Sequence, residues 1–265
     1  MTKKVWVFLF AGGLFACVFA CSKDTSKSSG ASPGSTQTSS QSLTLSESMV
    51  KQGQPLVATL PSGTSASNVQ WFVSPSSAVH ITSGNGQALV LFAHAGNYLI
   101  TARYPGSDSV STDSSTAPIT VSDSVYAPPP TPASDTFSLA GDQVILTPIA
   151  DSASNLVFFA QSGKAYPCFS SFLFAVSSGP QTGISINLSQ AVSTGIGNCN
   201  GSTSPVSSYL FLINPQNPFP NGTYPLAVTL NGTVYQGSLT ITGTDYTFDW
   251  NYNSGVIIQP HVIPK

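Results

Sequence analysis

Charged side chains are scarce in this 265-residue sequence, at 7% of the chain against about 25% in an ordinary soluble domain. The chain has a single arginine, Arg103, and a single glutamate, Glu47. Its eight Lys and Arg residues form no basic cluster, so we expect no nucleic-acid partner. The polar surface must therefore depend on Ser, Thr, Asn and Gln, a composition that suits an exported protein.

Residues that carry catalysis are equally scarce. His80, His94 and His261 are the only three histidines, and their spacing matches no zinc-binding pattern. Asp245 and Asp249, four residues apart in a strand, would lie about 13 Å apart, beyond the ~5–9.5 Å of paired glycosidase carboxylates. We therefore expect no enzyme, no metal and no cofactor, and a hydrolase is the least favoured alternative.

The first 20 residues have the layout of a secretory signal peptide. Lys3 and Lys4 precede an apolar run, 5–15, that is too short for a transmembrane helix. The sequence turns polar directly after Cys21. The alternative interpretation is a plain signal peptide with incidental cysteines.

The tetrapeptide Val18-Phe19-Ala20-Cys21 resembles the lipobox of bacterial lipoproteins. That resemblance implies removal of residues 1–20 and acylation of Cys21, which would attach the chain to a membrane; Cys17 is a second candidate. The run Cys21-Ser22-Lys23-Asp24 also resembles lipoprotein starts in Bacteroidetes. It implies an outer-membrane lipoprotein that faces the periplasm or the cell surface.

Two cysteines remain outside the signal, Cys168 and Cys199. An exported protein meets an oxidising environment, so we expect them to form a disulfide. Closing a loop of about 30 residues would stabilise the fold by roughly 3–4 kcal/mol on the loop-entropy model.

Two low-complexity segments divide the chain. Residues 21–41 are rich in Ser, Thr, Gly and Gln and predict a disordered tether. Residues 124–132 hold four prolines in five positions, which favours a stiff polyproline II linker. The domains between and after them, 42–123 and 133–265, show no helical period of convincing length. We therefore predict an all-β protein.

The first domain reads as a small immunoglobulin-like sandwich. Trp71, within Val69-Gln70-Trp71-Phe72-Val73, and Tyr98, within Gly96-Asn97-Tyr98-Leu99-Ile100, carry a resemblance to the PKD family of immunoglobulin-like repeats. That resemblance makes Trp71 a core residue and Tyr98 a corner tyrosine, and implies a spacer or interaction module. The candidate strands are 42–48, 55–60, 68–73, 79–82, 87–92, 97–103 and 118–121.

The second domain reads as an antiparallel β-sandwich. Asn231-Gly232 separates two alternating runs and predicts a hairpin that pairs Leu230 with Thr233 and Val228 with Tyr235. Further turns lead to strands 245–252 and 256–258, so we expect a meander of up to four strands. The runs that could supply a second sheet are 143–146, 156–160, 172–176, 184–188 and 209–213.

Four alternating aromatic residues, Tyr246, Phe248, Trp250 and Tyr252, admit two interpretations. They form the inner face of the sandwich, as alternation usually indicates, or an exposed platform that stacks sugar rings. On the second interpretation Tyr246, Trp250 and Tyr252, with Asp249 beside them, are the candidate ligand-binding residues. We expect a non-catalytic envelope lipoprotein that binds glycan, with the first domain as a spacer; the alternative is a structural or adhesion lipoprotein that binds an envelope protein.

Overall fold

The computed structural model describes residues 42–106, 112–129, 135–150, 155–178, 183–196, 201–213 and 219–265. All regular structure in these ranges is β-strand, as the sequence predicted. The described residues all belong to one compact unit. The predicted signal peptide 1–20 and tether 21–41 lie outside the described residues. In the part of the chain that the structure describes, no helix is long and apolar enough to cross a membrane.

The first sandwich has two four-stranded sheets, ordered β1-β3-β6-β5 and β2-β8-β7-β4. Its core is apolar and lies between the two sheets. Its strands are β1 (Thr44–Leu45), β2 (Met49–Gln52), β3 (Leu56–Thr59), β4 (Gln70–Ser74), β5 (Val79–Gly84), β6 (Gln87–Phe92), β7 (Gly96–Pro105) and β8 (Thr112–Val125).

This order is that of an immunoglobulin-like sandwich, and the expected corner tyrosine is confirmed. The hydroxyl of Tyr98 donates to the carbonyl of His94 at 2.9 Å. Trp71 is only partly buried against the core. Strand β2, which pairs in parallel with β8, was not predicted because only one of its four residues, Val50, is buried. Strand β8 extends to Val125, so the predicted linker begins two residues later than expected.

The second sandwich has a four-stranded sheet, ordered β14-β11-β10-β18, and a seven-stranded sheet, ordered β12-β13-β15-β16-β17-β19, with β9 also paired to β13. Its strands are β9 (Thr136–Ser138), β10 (Val144–Ala150), β11 (Leu156–Pro167), β12 (Ser171–Ser178), β13 (Ile184–Ser193), β14 (Thr203–Ile213), β15 (Gly222–Leu230), β16 (Thr233–Ile241), β17 (Asp245–Asp249), β18 (Val256–Ile258) and β19 (Val262–Pro264).

The predicted hairpin is confirmed in its register, since Leu230 pairs with Thr233 and Val228 with Tyr235. The predicted four-strand meander is wrong at its last strand. Val256 and Ile258 are buried, and β18 carries them to the opposite sheet, where it pairs in parallel with β10. The unpredicted β19 takes the place beside β17.

The predicted division into sheets is also wrong in part. Of the five earlier runs, those in β10, β11 and β14 form the second sheet, whereas β12 and β13 join the sheet of the hairpin. Strand β13 pairs in parallel with β15, so the second sandwich is not purely antiparallel. A parallel pair has no local turn to announce it, because its strands are joined by a long crossover.

The two sandwiches share a buried apolar interface. On the first sandwich it is formed by the outer face of β3 and β6, where Val57, Leu89 and Leu91 are at most 2% exposed. These side chains cluster with residues of β11 to β14 of the second sandwich. The two sandwiches are therefore not independent of each other in the folded chain, and the spacer role and the stiff linker stay predictions. The partners on the second sandwich are Val157, Phe172, Phe174, Val192 and Tyr209.

Candidate functional site

Three of the four aligned aromatic residues belong to the core of the second sandwich. Tyr246 and Trp250 are 1% exposed and Phe248 is 2% exposed. The indole Nε1 of Trp250 donates to the carbonyl of Val256 at 3.0 Å, which satisfies its buried polar atom. The prediction of an exposed sugar platform is therefore wrong for Tyr246 and Trp250, and the inner-face interpretation is confirmed for them.

A glycine on the neighbouring strand explains how closely Trp250 packs. A Cβ placed on Gly237 would lie 2.7 Å from Cε3 of Trp250, a distance at which something must move. Strand β16 thus needs a residue without a side chain where the indole lies against it. The same Cβ would also collide with the backbone carbonyl oxygen of Asp249, so the chain before Trp250 lies close against β16 as well.

The other two predicted residues, Tyr252 and Asp249, are exposed. Strand β17 ends at Asp249, so the inward alternation stops before Tyr252, which is 38% exposed. Its ring meets Tyr235 edge-on at a centroid distance of 5.0 Å, and its hydroxyl accepts a hydrogen bond from the amide of Gln236 at 3.1 Å. Asn251 donates to the Asp249 carboxylate at 3.3 Å. We call Tyr235, Tyr252 and Asp249 the tyrosine patch.

A pocket of about 360 Å³ lies where the end of the first sandwich meets the second. That volume falls within the range of small-ligand sites, which commonly occur where domains meet. We call it the junction pocket. One wall is the segment Val125–Pro128, and the others come from β12, β14 and Ile184: Ala175, Val176, Ser177, Ser178, Tyr209, Leu210, Phe211 and Leu212.

None of the described residues that line the junction pocket carries a charge. Tyr126 is half-buried, and its amide donates to the carbonyl of Gln52 at 2.9 Å, which ties the linker to the end of β2. Burial raises the pKa of Tyr126, and the negative charge of the Glu47 carboxylate makes a smaller contribution in the same direction. Burial, with a smaller contribution from Tyr98, raises the pKa of Tyr209 to about 12. Both phenols are therefore neutral at physiological pH and available only for hydrogen bonding and packing.

The pocket lies between two strand edges that do not pair with each other. Strand β12 pairs with β13, and β14 pairs with β11. A side-chain hydrogen bond crosses between them, from the hydroxyl of Ser177 to the carbonyl of Phe211 at 3.4 Å. Ser178 and Val176 are exposed beside it. The pocket therefore offers hydroxyl groups and apolar surface together.

Sequence reasoning missed the junction pocket, although two signals indicated extra burial. The run Phe172-Leu173-Phe174-Ala175 and the run Tyr209-Leu210-Phe211-Leu212 are apolar without alternation, the pattern of strands covered on both faces. Tyr126, at the start of the linker, was an aromatic residue with no role assigned to it.

A buried carboxylate of the second sandwich, Asp142, has a structural role. Asp142 accepts hydrogen bonds from the amides of Gln143 at 2.7 Å and Lys164 at 2.9 Å, and from the hydroxyl of Tyr166 at 2.6 Å. Burial, and then the hydrogen bond to Asp142, raise the pKa of Tyr166. These contacts join the turn before β10 to the irregular middle of β11. The described residues contain no group of three His, Cys, Asp or Glu that could hold a metal ion.

Of the three histidines, His80 contacts the second sandwich. Its Nε2 lies 3.4 Å from Oγ of Ser207, and its ring centroid lies 4.7 Å from that of Phe159. Burial lowers the pKa of His80. His94 supplies the carbonyl of the tyrosine corner, and His261 is exposed.

The cysteine predictions are described only in part. Cys168, between β11 and β12, is disulfide-bonded. Cys199, its predicted partner, and Cys21, the predicted lipidation site, lie outside the described residues. Both the pairing and the lipidation therefore stay predictions.

The fold and this pocket define an all-β protein of two packed sandwiches with a small neutral pocket where they meet. No protein-family model matches the chain, and no curated protein is similar to it in sequence.

Proposed function

We propose that this chain is a lipid-anchored cell-envelope protein that binds a neutral glycan in the junction pocket without catalysing a reaction. The observation that carries the proposal is the uncharged lining of that pocket, which combines aromatic rings with hydroxyl groups in about 360 Å³. Sites for small ligands pair apolar walls with a few placed polar groups.

A sugar ring matches both kinds of group. Its C–H faces pack against aromatic rings, here Tyr126 and Phe211, and its hydroxyls exchange hydrogen bonds with Ser177, Ser178 and the phenol of Tyr126. A charged sugar would need an opposite charge once it is desolvated, and the lining residues that the structure describes supply none. The ligand class is therefore a neutral glycan.

The first sandwich has a direct part in this proposal. Val125, the last residue of β8, lines the pocket together with Tyr126. The PKD-like sandwich therefore builds one wall of the site, in addition to any role as a spacer above the membrane.

Lipid anchoring rests on the lipobox-like sequence that ends at Cys21. Several acyl chains on one cysteine give stable attachment where a single chain is marginal. The location that follows is the outer membrane, on its periplasmic or external side.

The pocket is tested with the full-length chain purified in detergent and run through gels that contain neutral polysaccharides. We expect retardation by at least one polysaccharide, and an affinity at least about tenfold lower for Tyr126→Ala, since an aromatic anchor of a binding site commonly contributes over 1.4 kcal/mol. Tyr252→Ala is the matched control, because it removes an exposed tyrosine from the tyrosine patch instead.

The reverse outcome, loss with Tyr252→Ala and no change with Tyr126→Ala, would assign the glycan to the tyrosine patch. No retardation by any neutral polysaccharide would reject glycan as the ligand class.

Lipidation is tested by growth with an alkyne-tagged fatty acid in a bacterial host. We expect label on the wild-type chain, none on Cys21→Ala, and full label on Cys17→Ala. Label that persists on Cys21→Ala but not on Cys17→Ala would place the acylated cysteine at the alternative position.

A further inference from the structure

The outer face of the sheet β2-β8-β7-β4 carries apolar side chains that are exposed to solvent. Met49 is 57% exposed, Phe72 44% and Leu99 42%, and Pro118 is exposed as well. Each lies on a different strand of the sheet. Single exposed apolar residues need no explanation, but a continuous group of them marks an interaction surface.

The strand register makes these four residues neighbours. Pro118 pairs directly with Leu99. Phe72 pairs with Thr101, two residues beyond Leu99 on the same face, and Met49 pairs with Thr120, two residues beyond Pro118. Such diagonal neighbours are within reach of each other across a sheet. Met49, Pro118, Leu99 and Phe72 therefore form one diagonal line across all four strands, which we call the outer stripe.

Each end of the outer stripe carries a positive charge. The guanidinium of Arg103 lies 5.0 Å from the ring centroid of Phe72. Lys51 is exposed on β2, two residues beyond Met49 and so on the same face. Asp113 falls on the same side of β8 as the buried residues of that strand, and Asp123 is exposed where the pairing of β8 with β2 becomes irregular. Two of the described cations thus frame an apolar line in a chain whose formal net charge is −2.

We propose that the outer stripe docks a partner protein whose contact surface is apolar at its centre and acidic at both ends. Charge complementarity favours this partner, because its carboxylates would form ion pairs with both Arg103 and Lys51. A second copy of this chain does not fit: two stripes laid together in either direction would bring positive ends against positive ends.

The chemistry of the stripe also favours protein over glycan. Three of its four members are aliphatic, and its one aromatic ring is already covered by Arg103 on one side. Three inter-strand spacings of about 4.8 Å make the stripe at least about 14 Å wide, a scale that matches the centre of a protein interface. This docking is separate from the junction pocket, and it would leave glycan binding unchanged.

The test is selection of a random peptide display library on the immobilised full-length chain, counter-selected on the same chain carrying Phe72→Ser and Leu99→Ser. We expect enrichment of peptides with an apolar centre between acidic residues. The best peptide should bind Arg103→Glu at least about tenfold more weakly, as expected when a charged anchor is reversed. Both serine substitutions are at exposed positions, and circular dichroism melts check that the variants fold.

Val234→Ser is the matched control, because Val234 is an apolar residue that is 53% exposed on the second sandwich; peptide binding should not change. A fresh selection on the Lys51→Glu, Arg103→Glu chain should enrich basic ends instead. Two outcomes of the selection would overturn the proposal: no enrichment over the counter-selected chain, or peptide affinity that is unchanged by the charge reversal. A dimer in sedimentation that Phe72→Ser abolishes would also overturn it, as would loss of polysaccharide retardation in Phe72→Ser.

Discussion

Each of the two sandwiches contains a tyrosine corner, although their strands are ordered differently. In the first, Tyr98 at the start of β7 donates to a carbonyl four residues earlier and packs on Phe92 with a centroid distance of 4.7 Å. In the second, Tyr224 at the start of β15 donates to Pro220 at 2.8 Å and packs on Phe219 at 4.9 Å. Both strands then continue into an antiparallel partner, so the second sandwich repeats a corner that was predicted only for the first.

Their described sheets differ in the number of parallel strand pairs, since the first sandwich has one, β2 with β8, and the second has two. The first sandwich keeps the immunoglobulin-like order, and its longest strands pair as neighbours along the chain. The second brings β10 beside β18 and β13 beside β15 in parallel. The comparison teaches that local turn and alternation signals predict many of the strands in both sandwiches, whereas the parallel pairs between distant strands, one in the first sandwich and two in the second, have no local signal.

The largest expected effect compares the tryptophans of the two sandwiches. Trp250 is 1% exposed, and Trp250→Ala should lower the free energy of unfolding by about 3–5 kcal/mol through lost burial and a cavity. Trp71 is only partly buried, so Trp71→Ala should cost less. Urea denaturation of both variants measures the difference, and an equal or larger loss at Trp71 would contradict the burial on which this comparison rests.

The next effect compares the two outward faces of the first sandwich. Leu91 is fully buried at the interface with the second sandwich, so Leu91→Ala should cost about 2–4 kcal/mol. Leu99 is 42% exposed on the opposite sheet, so Leu99→Ala should lower the free energy of unfolding by no more than about 0.5 kcal/mol. Thermal and urea unfolding test both. A Leu91→Ala variant as stable as Leu99→Ala would mean that the sandwiches do not share this interface.

A smaller effect compares the two tyrosine corners. Removing one hydroxyl removes one net hydrogen bond, worth about 1 kcal/mol. Tyr98→Phe should lower the free energy of unfolding by close to that value, because Tyr98 is 6% exposed. Tyr224→Phe should lower it by less, because Tyr224 is only partly buried. The free energies of unfolding of the two variants decide the order. A larger cost at Tyr224 would show that burial does not set the strength of the corner.

The smallest expected effect is a pH dependence at the interface. The described contacts of the His80 ring are uncharged: Thr82, Ser207 and Phe159. Tyr209, the titratable group of β14 nearby, stays neutral below about pH 12. Burial lowers the pKa of His80, so the folded state favours the neutral ring. Its contribution to stability is present above the unfolded pKa of about 6.5 and is lost as the pH falls towards the lowered folded value.

His80→Gln should flatten this part of the pH profile of stability, whereas His261→Gln, at an exposed tail position, should leave it unchanged. Unfolding midpoints between pH 5 and 8 measure both. If His80→Gln leaves the pH profile of stability unchanged, protonation of His80 does not contribute to the stability of the interface.

Particular elements show where prediction from sequence succeeded. The Asn231-Gly232 turn predicted its hairpin to the residue, because a two-residue turn leaves one register and one buried face. The alternation of Tyr246, Phe248 and Trp250 indicated burial correctly. The candidate site was predicted poorly: only Tyr252 and Asp249 remain exposed, and the junction pocket draws its walls from segments far apart in the chain.

By itself, the sequence determined the all-β class, the strands with clear alternation, the corner at Tyr98 and the scarcity of charge that leaves the pocket neutral. The class, the strands and the neutral lining follow from side-chain period, turn chemistry and composition, whereas the corner at Tyr98 is what the resemblance to the PKD family implies. Tertiary structure alone decided that β3 and β6 are buried on both faces, that β18 crosses to the opposite sheet, and that Tyr126 closes a pocket against β12 and β14. Those outcomes depend on which surfaces meet. The free energy gained by burying apolar surface does not depend on how far apart in the chain the contacting residues lie.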